Sequence, residues 1–225
     1  MAEDGAFTER WVRAFARSVE SCESELTALD QLAGDGDFGA NLRSGLRTGV
    51  GALDRAAGPR AAHEPLRLLA TAFLDHVGGT SGPLFGLLFQ ELAAAAEADA
   101  PLLTTRALAA GTGRGMAAIR RVGGAAPGDK TLLDALHPAA LALAACPPAT
   151  PPGQALDRAA TAAWDGVRRT AGLTARRGRA SYLGARASGV PDPGAVGVAL
   201  LLGSAARPVT TLGPLLSGPA APVSP

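Results

Sequence analysis

Residues 7–29 read Phe7-Thr8-Glu9-Arg10-Trp11-Val12-Arg13-Ala14-Phe15-Ala16-Arg17-Ser18-Val19-Glu20-Ser21-Cys22-Glu23-Ser24-Glu25-Leu26-Thr27-Ala28-Leu29. Within this stretch Phe7, Trp11, Phe15, Val19, Cys22, Leu26 and Leu29 recur at steps of three and four. The spacing lays one apolar stripe along about six turns of helix and leaves the charged residues on the other faces. Such a stripe must be covered by neighbouring elements. The rest of the chain offers helices for the purpose.

A second helix is expected from Asn41 to Ala57, ending before Gly58-Pro59. Pro65 opens a third, with Leu66, Leu69, Phe73 and Val77 on one face. Ser81 caps a fourth, and Pro83 stands in its first turn, where a missing N–H costs nothing. A fifth covers about Thr104 to Val122, and a sixth runs from Thr131 to Ala145. The seventh starts near Gln154 and carries Leu156, Ala160, Trp164 and Val167. Asp192-Pro193 opens the eighth, which runs through Leu201. No stretch alternates apolar and polar residues as a strand does. The fold class read from this is all-α, a barrel or bundle of about eight antiparallel helices. Residues 1–205 form one domain, and the Pro-, Ser- and Ala-rich segment 206–225 is expected to be a flexible C-terminal tail.

Composition narrows the function. The chain has 225 residues and a formal net charge of +1, with no basic surplus for a nucleic-acid binder. No window approaches ~18 uncharged apolar residues, so no membrane span is expected. The first residues lack the apolar run of a secretory signal, and a cytoplasmic location is expected. Cys22 and Cys146 lie in apolar helical patterns and read as reduced thiols. His63, His76 and His137 share no zinc spacing. Most of the 29 glycines and 17 prolines fall between helices. Few large aromatics are available to fill a barrel axis, which raises an apolar-ligand carrier as one alternative.

Four inter-helix segments carry polar chemistry. Asp30, Asp35 and Asp37 place three carboxylates within eight residues among Gly34, Gly36 and Gly39. Such carboxylates repel one another unless a cation joins them, and a hard divalent ion suits oxygen ligands. A solvated turn is the plainer alternative. Gly78-Gly79-Thr80-Ser81-Gly82-Pro83 sets small residues at a helix N-terminus, where phosphates bind well, although an ordinary cap has the same look. Gly123-Gly124-Ala125-Ala126-Pro127-Gly128-Asp129-Lys130-Thr131 nearly spells a P-loop, but Asp129 interrupts it and no strand precedes it. It holds the only lysine of the chain. The fourth is Gly178-Arg179-Ala180-Ser181-Tyr182-Leu183-Gly184, followed by Asp192-Pro193-Gly194-Ala195. These segments follow helices one, three, five and seven, so an up-and-down bundle gathers all four at one rim.

In that order the four segments resemble the nucleotide-binding L subunit of dihydroxyacetone kinase, from about Leu29 to Leu202. The motifs are Asp30-x4-Asp35-x-Asp37, Gly78 to Gly86, Gly128-Asp129-Lys130-Thr131-Leu132-Leu133-Asp134-Ala135-Leu136, and Gly178 to Gly184 with Asp192 to Ala195. The resemblance implies ADP or ATP bound at one end of an eight-helix barrel. Two Mg²⁺ ions would lie on Asp30, Asp35 and Asp37. Asn41, Thr80 and Ser81 would reach the phosphates, beside Phe38 and Gly79. Gly123, Leu132, Arg179 and the turn Asp192, Pro193 and Gly194 would enclose the remainder. No catalytic residue beyond these positioning groups is implied. The implied partners are a K-type subunit that holds the small ketose and, in some systems, a phosphodonor subunit of the phosphotransferase system. A homodimer is left open. The metal loop departs from the family pattern at Phe38, Ala40 and Leu42, where His, Thr and Met are usual. A non-catalytic regulatory or adaptor paralogue is the alternative that this change raises.

Overall fold

The computed structural model describes residues 4–56, 58, 60–183 and 187–217. Ala57, Pro59, Gly184 and residues 218–225 of the expected tail lie outside the described residues. The described elements are all helical. They are α1 (Gly5–Ala33), α2 (Phe38–Arg55), α3 (Glu64–His76), α4 (Ser81–Ala98), α5 (Thr105–Gly123), α6 (Leu133–Ala144), α7 (Pro152–Thr170), α8 (Ala180–Leu183), α9 (Pro193–Gly203) and α10 (Gly213–Ser217). The eight long ones are the eight expected from periodicity.

The stripe of α1 is buried at Trp11, Phe15, Val19, Cys22 and Leu26, and Phe7 and Leu29 pack against the same core at its edge. Asp4 starts the helix by accepting the N–H of Phe7 at 3.1 Å. Each of α1 to α6 packs on the next, α7 packs on α9, and α9 packs back on α1. The sequence of neighbours is therefore a closed ring. α9 is apolar all round and buried from Ala195 to Leu202, as a helix enclosed by others must be. Its seam with α1 carries satisfied polar groups. The indole N–H of Trp11 donates to the carbonyl of Leu201 at 2.7 Å. The hydroxyl of Ser18 meets that of Ser204 at 2.8 Å.

Aromatic packing inside the ring, among the described residues, speaks against the alternative of an interior apolar-ligand cavity. Phe15, Phe38, Phe73, Phe85 and Phe89 form one aromatic cluster, with ring centroids 5.2 Å apart at the closest pair and 6.5 Å at the widest. Gly197 of α9 leaves room for it: a Cβ there would lie 2.8 Å from Phe85 Cζ and 2.9 Å from Phe38 Cζ. The void bounded by Phe38, Phe73 and Phe85 measures about 10 Å³, at the limit of a single water.

Three expectations change in detail. α2 begins at Phe38 rather than Asn41, because the Asp30 carboxylate accepts the Phe38 N–H at 3.1 Å. α6 begins at Leu133 rather than Thr131; it runs through Pro138 as expected, and Gly166 of α7 lets the Asp134 carbonyl, four residues before that proline, come close. The expected tail is packed through residue 217. Leu212 is fully buried, the Val209 N–H donates to Ser18 Oγ at 2.8 Å, and Arg168 Nη1 donates to the Leu215 carbonyl at 2.8 Å. Cys22 and Cys146 are free thiols, the first buried and the second half-buried. No helix of the described residues is long and apolar enough to cross a membrane.

Candidate functional site

At one end of the ring, the end of α1 and the start of α2 build an acidic wall. The Gly34 N–H returns to the Asp30 carbonyl, and a Cβ at position 34 would collide with the Asp30 carboxylate. Gly36 takes φ +81, the left-handed region that glycine adopts without strain. The resulting turn brings carboxylate oxygens of Asp30, Asp35 and Asp37 within 4.8 Å of one another. Asp30 is buried, whereas Asp35 and Asp37 are exposed. Like charges at such distances cost roughly 1–4 kcal/mol per pair, depending on the local dielectric. Arg179 supplies counter-charge, pairing with Asp35 and lying 3.8 Å from Asp37.

The N-terminus of α4 faces the same space. Thr80 stands at its N-cap and makes no side-chain capping bond, so the hydroxyls of Thr80 and Ser81 and the first-turn N–H groups border the pocket. Gly79 has φ +74, and a Cβ there would come 3.6 Å from Asn41 Nδ2.

The opposite wall is built from loops whose polar groups are already bonded. Asp134 accepts the Gly128 N–H with one oxygen and the Thr131 N–H with the other at 2.8 Å. Lys130 is buried, and its ammonium donates to the carbonyls of Thr170 and Ala187, both at 2.9 Å. Asp192 caps α9 by accepting the Ala195 N–H at 2.7 Å, while its own N–H donates to Thr170 Oγ1 at 2.8 Å. Burial pushes the Asp192 carboxyl up to about 7 against the opposing Ala195 N–H; Asp134 and Asp30 add to the rise, and Lys130 works against it. Burial likewise pushes the Lys130 ammonium below its usual range, with Asp192 opposing. Gly194 keeps the turn tight: a Cβ there would meet Leu132 Cβ at 3.2 Å and Asp192 Oδ2 at 3.1 Å.

All fourteen residues singled out from the sequence border this one pocket of about 170 Å³. They are Asp30, Asp35, Asp37, Phe38, Asn41, Gly79, Thr80, Ser81, Gly123, Leu132, Arg179, Asp192, Pro193 and Gly194. Phe38 has a different part from the one expected. Its ring is 4% exposed and packs on Phe85 at 6.2 Å, so the wall receives its backbone N–H and not a side-chain donor. Lys130, Thr131 and Arg177 also border the pocket, and the motifs do not assign them to it. Lys130 carries a signal, as the only lysine in an arginine-rich chain. The three carboxylates suit a hard divalent ion by donor type. Oxygens bound to one Mg²⁺ span at most about 4.2 Å, twice a ~2.1 Å bond, so carboxylate oxygens within 4.8 Å of one another are close enough to share an ion with little side-chain movement.

Residues 32–207 match the family described as the DAK2 domain. The L-erythrulose 1-kinase of Mycolicibacterium smegmatis is 39% identical over 195 residues, covering 85% of this chain and 33% of that enzyme. A Listeria innocua protein named PEP-dependent dihydroxyacetone kinase 1, ADP-binding subunit DhaL, is 32% identical over 201 residues, covering 89% of this chain and 95% of that subunit. Dihydroxyacetone kinase from C. freundii, solved with AMP-PNP and Mg²⁺, superposes with a TM-score of 0.68 at 27% identity, over 91% of this chain and 34% of the solved one. The chain thus spans about a third of the erythrulose kinase and of the solved kinase, and nearly the whole of the bacterial subunit. With most of its length matched and the same helical architecture, this chain belongs to the DAK2 domain family.

Proposed function

We propose that the chain binds a Mg²⁺–nucleotide, ADP or ATP, across the rim pocket and serves as the nucleotide half of a kinase acting on dihydroxyacetone or a similar small ketose. The observation that carries this reading is the convergence of Asp30, Asp35 and Asp37 with the N-terminus of α4 in one pocket. A bound magnesium would clamp phosphate oxygens and neutralise their charge. The protein's own groups do the positioning. Asp30 is held in place by the Phe38 N–H, and Thr80 and Ser81, at the N-terminus of α4, line the pocket and bring hydroxyl and N–H donors to its edge. Arg179 lies on Asp35 and Asp37, so a cation taking those carboxylates frees its guanidinium for a phosphate. Phosphoryl transfer asks for positioning and charge neutralisation more than for a protein nucleophile, in keeping with a pocket lined by neither Cys nor His among the described residues. On this reading the ketose sits on a separate K-type subunit, and the phosphoryl donor is ATP or a phosphotransferase-system protein.

Titration calorimetry tests the reading. ADP binding is expected with Mg²⁺ and not in EDTA, and Asp35→Asn or Asp37→Asn is expected to weaken it by at least about 100-fold, or ~2.7 kcal/mol. Undiminished binding in those variants removes the metal assignment. A second reading, a nucleotide-binding adaptor without catalysis, is favoured by the burial of Phe38 and by Ala40 where the family pattern has polar groups. Phosphoryl transfer to dihydroxyacetone in the presence of a K-type subunit separates the two.

A further inference from the structure

We infer that Lys130 is a positioning residue: its ammonium staples Thr170 to Ala187 and so holds Arg179 over the acidic wall. The inference rests on the nucleotide reading above. Residues 171–183 leave the end of α7 and carry Arg177, Arg179 and α8 out to the pocket mouth. Among the side chains described there, none belongs to the main core. Ala175, Ala180 and Ala187 form a separate buried cluster of three small residues, too little apolar area to fix a loop alone. Polar bonds do the fixing. Lys130 Nζ spans the two ends through the carbonyls of Thr170 and Ala187, at 2.9 Å each. The Gly189 N–H closes the same neck on the Ala171 carbonyl at 3.0 Å, and the Arg176 N–H reaches the Asp129 carbonyl at 3.0 Å. Residues 129–130 thus form a strap beneath the segment.

The backbone of Lys130 shows what the staple costs. It has φ +60, the one positive value at a non-glycine residue among those described. An L-residue held there is strained, and such strain persists only where the surrounding contacts over-determine the conformation. The choice of lysine is equally specific. A chain that otherwise uses arginine places here a compact ammonium with three rotatable donors, which can serve two converging carbonyls inside a buried space; a planar guanidinium is too broad.

The single lysine leaves one side-chain amine to follow, read by peptide mapping apart from the α-amine. In wild-type protein, acylation of Lys130 by a lysine-directed reagent is expected to run at least about tenfold slower than in a free peptide, because a stapled amine reacts only through local opening. Mg·ADP is expected to slow it further, since loop order and nucleotide binding favour each other reciprocally. Lys130→Met keeps the volume and removes the donors. Without nucleotide, hydrogen exchange over 171–183 is expected to rise at least about tenfold while α1 to α4 are unchanged. The Kd for Mg·ADP is expected to rise about tenfold or more, the usual consequence of loosening a residue that orients a binding group. Acylation of wild-type Lys130 at the free-peptide rate overturns the staple, and does so even if Lys130→Met fails to fold. Faster exchange with an unchanged Kd overturns the positioning role. A wild-type protein that binds no Mg·ADP defeats the nucleotide reading instead, while acylation and exchange measured without nucleotide still decide the staple.

Discussion

The two walls of the pocket solve opposite problems. The acidic wall crowds three carboxylates, one buried and two exposed, and meets them with one exposed arginine. The facing wall holds Lys130, Asp134 and Asp192 in bonds to backbone groups. The first is a surface short of positive charge, which an arriving cation would complete. The second is finished in itself and sets the shape that the first must face. Changes on the acidic wall should therefore act mainly on ligand affinity and changes at Asp134 or Asp192 mainly on folding free energy, with Lys130 acting on both.

Phe38 is the place to break that division most severely, because it ties the acidic wall to the core. Phe38→Ala removes a buried ring from the aromatic cluster and is expected to cost about 3–5 kcal/mol, read from denaturant unfolding. A loss under about 1 kcal/mol would mean that the ring is not the anchor. Phe38→His puts an imidazole among Phe73, Phe85 and Gly197, so it is a weaker test of lost chemistry than the sequence suggests. Asp134 sharpens the comparison from the other side. Asp134→Ala frees the Gly128 and Thr131 N–H groups together and is expected to destabilise by about 2 kcal/mol with the acidic wall untouched.

A third effect is a pH slope. Asp192 has a folded-state value of about 7, raised from 3.8, so the folded chain holds its proton more tightly than the unfolded one. The stability this contributes is fully present below about pH 4 and is lost as pH rises towards 7. Asp192→Asn keeps a capping oxygen and removes the titration. Its stability, measured without nucleotide, should gain on wild type from pH 5 to pH 8. The gain is on the order of 1.4 kcal/mol for every tenfold by which the folded carboxyl binds its proton more tightly than the unfolded one. Parallel pH curves for the two proteins would show that the carboxyl titrates as it does in water.

How legible all this is in the sequence depends on the range of the interaction. The stripe from Phe7 to Leu29 announces α1 because helix periodicity is local, and the same holds for the other long helices. The fourteen pocket residues are legible through ordered motifs and the alternation of loops in a bundle. The motif sets position 38 among the phosphate-facing groups because it has a polar residue there. Only packing against Phe85 and Gly197, from distant helices, turns the ring inward. Lys130 reaches partners 40 and 57 residues away, a separation that periodicity does not encode. Residues 206–217 read as a tail by composition, and only the sides of α1, with Ser18 and Glu25, and of α7, with Arg168, give them something to hold.

The closure of α9 on α1 has a consequence for the making of the protein. The bond from Trp11 to Leu201 joins residues 190 positions apart, and α9 can be fully enclosed only when helices from both halves are in place. On a ribosome, the helices from α1 to α7 emerge and pair with their sequence neighbours well before α9 exists. At about 5–20 residues per second the wait lasts of the order of ten seconds or more. Until then the apolar face of α1 and the aromatic cluster are open to solvent, and to any chaperone that recognises such surfaces.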